Sequence, residues 1–88
     1  MEISNCWAHD IGKGEVVVAF DLVCEKMMLE ELEEYDFIVL HDIRSVKREG
    51  YTATRLKTSQ KCLQKIYEDK QQKSEWKEFC EWIKEVTS

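Results

Sequence analysis

The chain is 88 residues long, 43% apolar, 35% charged and 10% aromatic, with three glycines, no proline and a formal charge of −5. That composition excludes a disordered chain, and the length excludes two independent cores. A domain of this size buries about 60–65% of its extended-chain surface, so one thin core is expected and a deep substrate cavity is not.

In chain order, Glu2–His9 mixes Ile3, Cys6 and Trp7 with polar neighbours and reads as a first strand. Asp10-Ile11-Gly12-Lys13-Gly14 follows as the strongest turn signal, because two glycines supply the positive φ a hairpin needs. Glu15–Val23 is β-branched and nearly continuous in apolar residues, which predicts a central, well-covered strand. From Cys24 the period changes: Cys24, Met28, Leu32 and Tyr35 recur every three to four residues between glutamates, which predicts a short amphipathic helix. Asp36–Val46 returns to strand composition, Lys47-Arg48-Glu49-Gly50 is a turn, and Tyr51–Lys57 alternates with period two. Thr58 or Ser59 can then cap a helix carrying Cys62, Leu63, Ile66 and Tyr67 on one face. Glu68–Lys73 has no apolar residue, and Ser74 offers a new cap before Trp76, Phe79, Cys80, Ile83 and Val86. Two helices, or one with a kink, are expected. The fold class is therefore α+β over residues 1–88: a single small domain of order β-β-α-β-β-α-α, two hairpins forming an antiparallel sheet with helices on one face.

The longest apolar stretches, Val16–Phe20 and Phe37–Leu40, fall far short of the roughly 20 residues of a membrane span. Met1-Glu2-Ile3-Ser4 lacks the basic start and apolar run of a signal peptide. A cytoplasmic location without membrane association is expected. In that reducing compartment the dispersed Cys6, Cys24, Cys62 and Cys80 read as core or half-buried thiols; two disulfides would suit only a secreted chain.

Charge is divided along the chain. Residues 1–43 carry two bases against eleven acids, residues 44–73 nine bases against three acids, and residues 74–88 two bases against four acids, giving −9, +6 and −2 in succession. The acidic run Glu30, Glu31, Glu33, Glu34 and Asp36, with Tyr35 and Trp82 as apolar anchors, can dock on a basic protein surface. The second hairpin offers the opposite chemistry: Arg44, Lys47, Arg48, Arg55, Lys57 and, on the next helix, Lys61 can neutralise phosphates while Tyr51 stacks on a base. Against both stands a plain solvated surface, since small domains use charged faces to stay soluble. Trp82 lies off the main helical stripe and can serve as an interface anchor, cap the core edge or bury itself in a homodimer.

Candidate chemistry is sparse. The pairs His9-Asp10 and His41-Asp42 can ligate a metal or share a proton, but each falls at a strand end where Asp ordinarily accepts backbone hydrogen bonds. Cys6-x-x-His9 is half of a zinc site without its other half. Gly12-Lys13-Gly14 is too short for a phosphate loop. No cofactor, metal or catalytic residue is expected. The expected role is non-enzymatic, by stoichiometric association with a macromolecule. In general style the chain resembles small inhibitor proteins encoded by phages and other mobile elements, which implies occlusion of a nucleic-acid-handling protein. The alternative is direct nucleic-acid binding through hairpin 44–57.

Overall fold

A computed structural model describes all 88 residues. Strands β1 (Glu2–Gly12) and β2 (Glu15–Glu25) form one hairpin; β3 (Val39–Ser45) and β4 (Tyr51–Ser59) form the other. The hairpins join through β2 and β4, giving an entirely antiparallel sheet of order β1-β2-β4-β3. Helix α1 (Lys26–Glu33) connects the hairpins; α2 (Gln60–Lys70) and α3 (Lys77–Thr87) follow, with a 3-10 turn over Ser74–Trp76 between them. This is the α+β arrangement the sequence predicts, including the division of the C-terminal segment into two helices.

Alternation along β2 explains the layering. Val18, Phe20, Leu22 and Cys24 are fully buried beneath the helices, whereas Val17, Asp21 and Val23 on the other face are only partly covered. On β4, Thr52, Thr54, Leu56 and Thr58 face the same core. The three threonines do not waste their hydroxyls: they donate to the carbonyls of Arg44 (3.0 Å), His41 (2.8 Å) and Phe37 (2.9 Å). Such bonds satisfy polar groups that burial would otherwise leave unpaired. Leu29, Leu32, Leu63, Ile66, Trp76, Phe79 and Ile83 close the core from the helix layer.

Several boundaries differ from the sequence reading. Strand β2 continues to Glu25, so Cys24 completes the 18-20-22-24 alternation and α1 begins at Lys26. The backbone N–H of Lys26 donates to the Gly50 carbonyl, so the β3–β4 turn caps α1 in place of a side chain. Strand β1 reaches Gly12, and β3 starts only at Val39. Ser59, not Thr58, caps α2 by accepting the Cys62 N–H at 3.1 Å. Ser74 caps nothing; its hydroxyl donates to Glu75. Gly12, Lys13 and Gly14 all have positive φ, which is why the turn there uses two glycines. Both edge strands carry an irregularity, with Asn5 and Asp42 at φ of 50° and 52°. Bulges of this kind bend an edge and discourage sheet-to-sheet pairing.

Candidate functional site

All three helices pack on one face of the sheet, so the other face is open. Register sets its side chains in rows across the strands: Trp7, Ala19, Lys57 and Val39; then Asp21, Arg55 and His41; then Val23, Ala53 and Arg44. Trp7 is 48% exposed and stacks on His9 with ring centroids 5.5 Å apart. The sequence reading placed Trp7 on a strand but missed it as a surface feature. Simple alternation from Ile3, which pairs with core-facing Leu22, puts Trp7 on the helix side; the bulge between Ser4 and Trp7 turns it to the open face instead.

The basic hairpin assembles as expected on that face, but its charge is partly taken up. Arg44, Tyr51, Arg55 and Lys57 share the open face, and Lys47 and Arg48 lie at the turn. The Arg55 guanidinium is 2.9 Å from the Asp21 carboxylate, which also accepts from Asn5 at 2.7 Å. The Asn5 and Arg55 hydrogen bonds hold the Asp21 carboxyl below its ordinary value. Arg48 stacks over the Tyr51 ring at 3.8 Å, covering one face a nucleobase would need. Lys61 sits apart, exposed in the first turn of α2.

The acidic run divides into two parts. Glu31 points inward and is saturated: Oε1 accepts from Lys70 and Lys73, each at 3.2 Å, and Oε2 accepts from the Trp76 indole at 3.1 Å. Burial alone would push the Glu31 carboxyl up; the bonds from Trp76, Lys70 and Lys73 outweigh it and hold the carboxyl below its ordinary 4.5. Lys70, only 7% exposed, lies 5.1 Å from the Trp76 ring centroid and 5.8 Å from that of Tyr35. Tyr35 is half-buried and donates its hydroxyl to Asp69, and burial raises its pKa first of all. Trp82 is likewise half-buried, its ring 4.4 Å from Phe20 and 5.9 Å from Phe79. The two expected anchors are thus drawn into contacts within the chain. Glu30, Glu33, Glu34 and Asp36 remain exposed, with no cation within 4.0 Å.

Glu31 and Asp21 make stability pH-dependent with a defined sign. Both carboxyls titrate lower in the folded chain than unfolded, so the stability they add is present above their ordinary values and lost as pH falls through the folded ones. Urea midpoints are expected to hold between pH 6 and 5 and to decline below about pH 4.5, with a shallower decline in Glu31→Gln. An identical decline in that variant would remove Glu31 from the account.

No three His, Cys, Asp or Glu side chains converge to form a metal-holding group. Asp10 accepts the Gly12 N–H at 2.8 Å, a turn role, and Asp42 occupies the β3 bulge. The cysteines are all free: Cys6 is exposed, Cys62 half-buried, Cys24 and Cys80 buried. Burial pushes the Cys24 thiol up to about 11 and raises Cys80 as well. In the native protein a thiol-specific reagent is expected to label Cys6 promptly and to reach Cys24 and Cys80 only on unfolding. Equal labelling of all four in native buffer would contradict the buried assignment.

No helix is long and apolar enough to cross a membrane. Comparisons with protein families, curated proteins and solved structures give no match for this chain. The class defined by fold and surface is an α+β domain with an open sheet face and a separate acidic helix.

Proposed function

We propose that the chain is a small non-enzymatic binding protein that acts by stoichiometric association with a macromolecule: a basic, nucleic-acid-handling protein whose charged site it occludes. The observation that carries this reading is the unpartnered carboxylate stripe Glu30, Glu33, Glu34 and Asp36. Glu30 lies three and four residues before Glu33 and Glu34, spacings at which like charges repel by about 0.2–0.5 kcal/mol a pair. The fold uses Glu31 and gains nothing from its neighbours. A basic partner would relieve their repulsion, and complementary charge would speed the encounter.

The test is isolation of the complex from the native host with light scattering on the product. A fixed stoichiometric ratio is expected, weakening with added salt, lost in Glu30→Lys/Glu33→Lys/Glu34→Lys, and leaving the partner unable to bind its nucleic acid. A partner that keeps its nucleic acid when bound would refute occlusion.

A second reading, direct nucleic-acid binding, is favoured by the placement of Arg44, Lys57, Tyr51 and Trp7 along the open sheet face. It ranks lower because Asp21 neutralises Arg55 and the whole chain is negative. Retardation of single-stranded nucleic acid at low salt, abolished by Arg44→Glu/Lys57→Glu, would reverse that order.

A further inference from the structure

A cleft of about 590 Å³ opens at one end of the molecule, between α1, the β3–β4 turn and the 3-10 turn. Its volume is in the range of small-ligand sites, about 300–1,000 Å³. The wall from α1 is Met27 and Met28, with Tyr51 and Trp76 lining other parts of the cleft. Met28 and Trp76 are buried, but Met27 is 73% exposed, the most exposed large apolar side chain in the chain. Methionine thioethers are flexible and polarizable and adapt to varied aliphatic chains.

The charged groups around this apolar wall select the ligand. Glu25, Glu75 and Glu78 line the cleft, against two cations, the Arg48 guanidinium and the Met1 ammonium. Glu25 and Glu75 have no cation within 4.0 Å, and Glu78 meets only the Met1 ammonium, at the 4.0 Å limit. Glu31, also lining the cleft, is already saturated and contributes structure. An aliphatic stem ending in a cation fits both features: methylenes against Met27, Met28 and Tyr51, the charged head at the carboxylate rim.

We infer that this cleft receives a lysine or arginine side chain of the partner protein. The inference rests on the reading of a basic partner and names the point where it is gripped. Opposite charge alone is spread along α1, whereas the cleft adds an apolar contact of the kind that dominates interface energetics.

The experiment uses the full chain with methyl-labelled methionine and the probe peptide acetyl-Ala-Ala-Arg-Ala-Ala-amide. The peptide is expected to shift the Met27 and Met28 methyl signals and the Trp76 indole N–H. Its norleucine counterpart should bind at least about tenfold more weakly, a difference of about 1.4 kcal/mol. Glu75→Lys/Glu78→Lys should abolish the shifts, as should Met27→Lys, whose exposed position spares the fold. Glu33→Lys/Glu34→Lys should leave them unchanged. The proposal is overturned if the arginine peptide moves neither methyl at about 10 mM, if norleucine binds equally well, or if spermidine binds where the peptide does not. Failure of the acidic-stripe reading is seen separately, as retention of the whole partner by the α1 reversals while the peptide shifts persist.

Discussion

Glu31→Ala is expected to lower the melting temperature by about 10–20 °C, as read by circular dichroism. The Lys70 ammonium side chain is 8% exposed and the Trp76 ring fully buried. Removing the carboxylate leaves the ammonium and the indole N–H without their Glu31 acceptor oxygens. A buried donor stripped of its acceptor costs about 1–3 kcal/mol, and breaking a fully buried ion pair costs about 3–5. Glu31 is 31% exposed, so water recovers part of that loss and about 2–3 kcal/mol is the expected net. In a domain of 60–100 residues each kcal/mol is worth about 4–8 °C. Glu30→Ala, one residue away with no partner, should stay within about 0.5 kcal/mol of the parent. A Glu31→Ala shift under about 4 °C would mean that the Glu31–Lys70–Trp76 cluster does not hold α1 to the C-terminal helices.

Phe20→Ala should cost more, about 3–5 kcal/mol in urea unfolding followed by tryptophan fluorescence. The Phe20 ring is fully buried at the middle of β2, 4.4 Å from Trp82 and 6.1 Å from Phe79 by ring centroids. Truncation opens a void at the junction of sheet and α3 that the remaining side chains fill only in part. Total stabilities of about 0.05–0.15 kcal/mol per residue leave an 88-residue domain little margin for such a loss. Phe20→Leu, which preserves most of the volume, should cost less than about 1.5 kcal/mol. A midpoint for Phe20→Ala as high as that for Phe20→Leu would show that the core collapses around the void or that Phe20 is not its centre.

The layering was legible in the sequence because β2 is nearly continuous in apolar residues, β4 has period two and the C-terminal stripe has helical spacing. Cys24 misled because it satisfies two periods at once, two residues after Leu22 on the strand and four before Met28 on a helix. The polar segment 68–73 concealed Lys70, which continues the 63-66-70 stripe and is buried by the aliphatic length of its side chain. Glu31 looked like its neighbours because its partners, Lys70 and Lys73, lie 39 and 42 residues away. Its place three residues after Met28, beside the apolar stripe, was the one local sign. Neither the open sheet face nor the cleft can be read from spacing, since both depend on how the two hairpins join through β2 and β4.

The most direct measurement on the central claim, that Glu30, Glu33 and Glu34 serve a partner and not the fold, is to record stability and complex formation together on Glu30→Lys/Glu33→Lys/Glu34→Lys. A melting temperature equal to or above the parent's is expected, because lysines at 33 and 34 suit the C-terminal end of α1, where the helix dipole disfavours the native glutamates, with the stoichiometric complex lost at physiological ionic strength. A complex that survives the triple reversal intact would contradict it.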